Sequence, residues 1–454
     1  MDARCCNDFS RSKLLRRAAA EAGRGLPSIE PGMPLPAGTG LTRQRFLLGS
    51  AGLALGLYGL NGLRPEAIEA GVARAAAGPA NPVFVSIFLE GGADRLSALY
   101  PASDPLYRSL RPKLALDGAA GPVFAEDSRL HWHPGLVPLS RLHAQGKVSV
   151  LPAVGYTDAD QSHFTSRHYW EVGATDAQLS TGWLGRYLDV AGAPDNPLQG
   201  LSLDGELSPT LATAHVPVAA IDAPASYSLD VQNVWGDVET RMLETIRELG
   251  VRLGGDDPAR SLAGTVQVQA HRLHEQLEPF SGGNPPVPYP GGTFADQLSS
   301  LAALIGAGLP LRCVSLSAPG GYDTHSGQPA ALADGLTQTA TTLEAFQADL
   351  EARGVADRVI VHVWSEFGRR VEENGSSGTD HGAAGIGFVI GTRVKGQMIG
   401  QHLDLQNGID DEGNLVATAD FRGLYCAILE QWFDQDASAI IPGAGGFTRP
   451  QVIA

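Results

Sequence analysis

Val83-Phe84-Val85-Ser86-Ile87-Phe88-Leu89 is an almost unbroken apolar run rich in β-branched and aromatic side chains. Successive strand residues point to opposite faces, so a strand of this composition has no side to offer to water. It needs cover above and below. Comparable runs at Val148–Val154, Arg312–Ser317, Arg358–Trp364 and Ile386–Ile390 read the same way. Between them lie amphipathic stretches at Leu136–Ala144, Thr181–Ala191, Val238–Leu249, Ala263–Leu277, Phe294–Ala307, Ala330–Ala352 and Phe421–Phe433. Alternation of this kind predicts an α/β fold with a largely parallel central sheet and helices on both faces. A Pro/Gly-rich link, Phe280 to Gly292, divides the chain into two halves that both feed this sheet.

Charge is distributed unevenly. Residues 1–77 hold ten Lys/Arg and six Asp/Glu, so the remainder of a chain with formal net charge -16 stands at about -20. An acidic body excludes a nucleic-acid binder, because phosphate backbones select basic faces. In the basic leader, Thr42-Arg43-Gln44-Arg45-Phe46-Leu47 precedes an apolar run to Leu60 and a small-residue zone at Ala73–Ala77. That order reads as an export signal too short to span a membrane. It resembles a twin-arginine signal with Gln44 in place of the second Arg. The expected organisation is a leader at 1–80 and one domain at 81–454, periplasmic or extracellular, with no integral membrane span. Cys313 and Cys426 lack metal-type spacing and read as small buried hydrophobes or, alternatively, a disulfide.

In open parallel sheets, ligands gather beyond the carboxyl ends of the strands. Four polar clusters lie near such ends. Glu90-Gly91-Gly92-Ala93-Asp94 follows the first strand, and its glycines let the chain turn sharply. Gly320-Gly321-Tyr322-Asp323-Thr324-His325 offers a carboxylate and an imidazole on one loop, suited to zinc or manganese or equally to a capped turn. Trp364-Ser365-Glu366-Phe367-Gly368-Arg369-Arg370 carries a Glu that is either an ion-pair partner or a metal ligand, with an Arg for an anion. Gly378-Thr379-Asp380-His381-Gly382 sets Asp beside His between glycines. Gln161-Ser162-His163-Phe164 opens a helix running over Thr165–Val172, where Ser162 is a cap or an activated hydroxyl.

Taken together, Phe88–Asp94, Ser162–Phe164 with Tyr169-Trp170-Glu171, Gly320–His325, Ser365–Arg370 and Gly378–Gly382 resemble an exported bacterial family, domain-of-unknown-function family 1501. That family is similar to the alkaline-phosphatase/sulfatase superfamily. The resemblance implies an alkaline-phosphatase/sulfatase-like fold with one or two divalent ions (Zn, Mn, Mg or Ca) at the rim of the sheet. It implies Asp94, Asp323, His325, Glu366, Asp380 and His381 as metal ligands, and Ser162, His163 and Arg369 as catalytic residues. Arg95 stands where the family tends to have a small residue. The activity it implies is hydrolysis of a phosphate or sulfate ester, with two cations about 4 Å apart as clamp. Arg95, Arg167 or Arg369 would neutralise the non-bridging oxygens. The substrate would be a small anionic ester or a glycan. The alternative is a non-catalytic exported protein with a structural ion, binding a glycan or another exported protein.

Overall fold

The computed structural model describes residues 56–58, 81–193, 196–222, 236–252 and 284–454. The leader, apart from Gly56–Tyr58, and the predicted helix Ala263–Leu277 lie outside the described residues.

Its strands, in chain order, are β1 (Gly56–Tyr58), β2 (Val83–Phe88), β3 (Leu99–Tyr100), β4 (His131–Trp132), β5 (Val148–Gly155), β6 (Gly200–Ser202), β7 (Val218–Ala220), β8 (Cys313–Ser317), β9 (Val359–Trp364), β10 (Arg369–Glu373), β11 (Thr379–His381), β12 (Gly385–Ile390) and β13 (Ala419–Asp420). The helices are α1 (Arg95–Ala98), α2 (Pro105–Leu110), α3 (Val137–Ala144), α4 (His163–Val172), α5 (Trp183–Ala191), α6 (Asp237–Arg252), α7 (Thr293–Gly306), α8 (Gln328–Ala352) and α9 (Phe421–Gln431). Nine strands form one sheet in the order β1-β7-β6-β8-β2-β9-β12-β5-β13. Both sides of the Phe280–Gly292 link contribute strands to it. The three-residue β6 and β7 and the two-residue β13 are too short to show a hydrophobic period, so the sequence does not reveal them.

β2 sits at the centre, parallel to β8 on one side and β9 on the other. Val83, Val85 and Ile87 pack into a core shared with α3, α7 and α8. Phe84 and Phe88 point the other way, into a second core with Trp170 of α4, Leu184 and Leu188 of α5, and Leu424 and Ile428 of α9. The two-sided apolar pattern therefore has helices on both faces, and the sheet is largely parallel. Cys313 and Cys426 are buried and free. No described helix is long and apolar enough to cross a membrane.

One departure from parallel order matters for the site. β12 runs antiparallel to both neighbours, β9 and β5. Segments that follow β8, β2, β9 and β5 leave the sheet at its carboxyl rim. A segment that precedes a parallel strand would sit at the opposite rim. Because β12 is reversed, the residues just before it, Thr379–His381, reach the same rim as the other loops.

His362 on β9 faces the second core, with Phe84 and Tyr425 ring centroids at 6.3 and 5.9 Å. Neither ring nitrogen has a hydrogen-bond partner among the described residues. Burial pushes its pKa down to about 3. The folded state keeps this ring neutral while the unfolded chain takes up a proton below about 6.5. Its contribution to stability is therefore whole above pH 6.5 and is lost as pH falls toward 3. At pH 5 the loss from this ring is on the order of 2 kcal/mol. Urea unfolding at pH 7.5 and 5.0 checks it: His362→Leu removes that part of the pH dependence without lowering stability at pH 7.5.

Candidate metal centre

The loop after β2 and the loop after β9 are clasped together before any ligand is considered. Ser365 Oγ donates to the Leu89 carbonyl at 2.7 Å and accepts from Ala93 N–H at 2.9 Å. Glu366, fully buried, accepts from Gly91 N–H at 3.0 Å and Gly92 N–H at 3.1 Å. Gly91 has φ +120°, and a Cβ there would lie 2.3 Å from the backbone nitrogen of Asp323. A third loop, the one following β8, is thus packed directly on the first. Only glycine permits that approach.

Three imidazoles meet at this junction, and each is held by its Nδ1. His163, the first residue of α4, has Nδ1 2.7 Å from Glu366 Oε1. His381 has Nδ1 2.8 Å from the Gln161 carbonyl, and His325 has Nδ1 3.0 Å from Asp380 Oδ1. A carbonyl or an ionised carboxylate can only accept, so each ring carries a proton on Nδ1, and in its neutral form it turns an Nε2 lone pair inward. Those Nε2 atoms converge on Asp323, at 3.6 Å for His163, 3.3 Å for His381 and 3.1 Å for His325. The Nε2 atoms of His325 and His381 are themselves 3.0 Å apart. Lone pairs facing one another and a carboxylate repel unless a proton or a cation lies among them. The donor set therefore fits a divalent cation, and the outward hydrogen bonds are the orienting partners that metal-bound histidines have.

His163, Asp323 and His381 can hold such an ion, with one ligand atom from each lying within 4.8 Å of the others. It is the one such group among the described residues. Burial alone would raise the Asp323 carboxyl. When the rings are protonated, the hydrogen bonds of His163, His325 and His381, with the charge of Arg369, hold it far below the carboxylate range instead. Glu366 is likewise kept low against its burial, chiefly by His163.

The six expected ligands and three expected catalytic residues are distributed differently from the sequence reading. Asp323 and His381 belong to the group, and His163, expected to be catalytic, joins them. His325 flanks it with a third of its side chain exposed. Glu366 and Asp380 stand behind imidazoles and orient them.

Asp94 lies outside the group. Its carboxylate pairs with Arg111 through Nη1 at 2.5 Å and Nη2 at 3.0 Å, and accepts further from Ser97, Gln328 and Leu96 N–H. Nothing in the sequence marks Arg111 as its partner. Ser162 caps α4, its hydroxyl accepting from Phe164 N–H at 3.3 Å. Arg369 is buried with its donors already engaged. They go to the carbonyls of Gly91, Gly92, Tyr322 and Thr379, and to Asp323 Oδ1 at 2.6 Å. It braces the loops instead of awaiting an anion. Arg95 is directed to the Pro152 carbonyl and His402, and Arg167 to Glu171 and Glu90. Ligands for a second cation do not assemble among the described residues.

The family model described as "Protein of unknown function (DUF1501)" matches residues 158–422, more than half of the chain, including every residue of the three-ligand group. The chain belongs to the DUF1501 family. A search of curated proteins returns no match for this DUF1501 chain. Among solved structures it is similar to the PsFucS1 sulfatase from Pseudoalteromonas sp. (12% identity, TM-score 0.35), with 86% of this chain and 77% of that one covered. It is similar to a protein in the alkaline phosphatase superfamily from Vibrio parahaemolyticus (9% identity, TM-score 0.31), covering 81% and 75%. A third is the lipoteichoic acid synthase LtaP from Listeria monocytogenes (7% identity, TM-score 0.28), covering 72% and 68%.

The Glu366–His163 contact makes a direct prediction for the DUF1501 site. Glu366→Gln places amide donors against Gly91 and Gly92 N–H and loosens the ring of His163. Affinity for Zn(II), measured against a competing chelator, falls by about 10–100-fold.

Proposed function

We propose that this chain is an exported, metal-dependent hydrolase of a phosphate or sulfate ester, worked by a cation on His163, Asp323 and His381. The reading also takes residues 1–80 as an export leader and 81–454 as one domain. What carries it is the convergence of inward-facing Nε2 atoms on a partly buried carboxylate at the rim where four loops meet. Held by His163, Asp323 and His381 alone, with His325 beside it, the cation keeps a coordination position open as in catalytic sites, whereas structural zinc sites close all four. A bound divalent cation supplies Lewis acidity and brings the pKa of a bound water toward neutrality. Zinc suits this nitrogen-rich donor set best.

The protein's own groups have distinct parts in this reading. Glu366 and the Gln161 carbonyl keep His163 and His381 in one tautomer, with the proton on Nδ1. Ser162, at the N-terminus of α4, is the candidate nucleophile, and the positive end of that helix's dipole favours an anion beside it. His325 stands at the exposed side, where an ester would enter.

A second reading, a non-catalytic exported protein with one structural ion, is favoured by a specific observation. Arg167 and Arg369, two of the arginines expected to receive the anion, are engaged elsewhere, and ligands for one cation alone assemble among the described residues.

Metal analysis of the purified protein is expected to give one equivalent per chain, lost in His163→Ala and in His381→Ala. Turnover of aryl phosphates or aryl sulfates that disappears in Ser162→Ala supports the enzyme. One bound equivalent with no turnover on either panel overturns it in favour of the structural ion.

A further inference from the structure

Gln328 opens α8 and is almost wholly buried, at 1% exposure. Its Nε2 donates to Asp94 Oδ2 at 2.6 Å and to Ser97 Oγ at 3.2 Å. Its Oε1 accepts from Thr324 Oγ1 at 3.0 Å and from Thr379 Oγ1 at 2.6 Å. Both amide donors and both acceptor sites are therefore in use, and the orientation is unambiguous because the Asp94 carboxylate cannot donate. Thr324 lies between Asp323 and His325, and Thr379 precedes Asp380 and His381. The two loops are further tied by Thr379 N–H to the Thr324 carbonyl at 3.0 Å. The main chain adds a link, Gln328 N–H to the Ser377 carbonyl at 2.9 Å.

We infer that Gln328 is a positioning residue for the cation centre, setting the spacing of Asp323 and His381 by joining their loops to the Asp94–Arg111 pair. The inference rests on the proposed cation at His163, Asp323 and His381. It gives Asp94 a part in the site at second hand: the carboxylate fixes Gln328, and Gln328 fixes the two loops that carry ligands. Buried polar networks in which every group is satisfied hold a single arrangement, and a ligand set tolerates little displacement.

Gln328 also lines a cavity of about 410 Å³ whose walls include Leu114, Leu116 and Leu332. A leucine at 328 therefore meets apolar neighbours, and Gln328→Leu removes the hydrogen bonds with little steric conflict. Thr379→Val is the milder companion, near in shape and lacking one hydroxyl. The test loads wild type and both variants with Zn(II) and with Co(II), and records affinity, the Co(II) visible spectrum and the urea midpoint.

Gln328→Leu is expected to bind Zn(II) about tenfold or more weakly and to shift the Co(II) bands. Thr379→Val shifts them the same way by less, and adds nothing further when combined with Gln328→Leu. Loss of stability alone would leave the Co(II) spectrum in place. Affinity and spectrum unchanged in Thr379→Val and in folded Gln328→Leu overturn the inference while leaving the metal reading intact. If Gln328→Leu fails to fold, Thr379→Val decides. A wild-type protein that takes up neither ion overturns the metal reading, and this inference with it.

Discussion

The carboxylate of Glu366, enclosed at the end of the central pair of strands, takes hydrogen bonds from the backbone of one neighbouring loop and from an imidazole two hundred residues earlier. A buried charge without partners would be strongly unfavourable, so the fold has to bring those donors to it. Satisfying it closes the Gly91–Gly92 turn over β9 and turns the ring of His163 toward Asp323. The arrangement of the rim follows from that one requirement. Local helix or strand preference has no part in it.

Arg369 complements Glu366 from the other side. One guanidinium reaches carbonyls of the loops after β2 and β8 and of β11, as well as Asp323, so a positive charge with fixed fork geometry acts as a brace among segments distant in sequence. Its engagement has a chemical consequence. Its Nε, Nη1 and Nη2 are each already bonded to backbone carbonyls or to Asp323, so this guanidinium holds the rim together and is not turned toward a further anion.

The direction of β12 is the second architectural condition. Reversing one strand in a largely parallel sheet lets residues on its amino side share a rim with residues on the carboxyl sides of four others. Gly368 and Gly382 sit where the short β10–β11 hairpin folds back on the loop after β9, with backbone too close to admit a side chain. The hairpin also sets Arg369 opposite His381 in register. Glycines that look like punctuation in the sequence are here points of backbone contact.

The sequence by itself determined the central strands, the helices that cover both faces, and the residue types that gather at the rim. Apolar runs without a polar face and glycine-flanked Asp/His pairs are local signals, and β2, β5, β8, β9 and β12 lie where those runs fall. It could not determine which carboxylates face the centre. Asp94, Glu366 and Asp380 carry the same chemistry as Asp323, and each was a reasonable ligand. Tertiary structure decided among them through partners distant in the chain: Arg111 and Gln328 for Asp94, His163 for Glu366, His325 for Asp380. A carboxylate's role depends on what meets its oxygens, and that is a property of the folded chain alone.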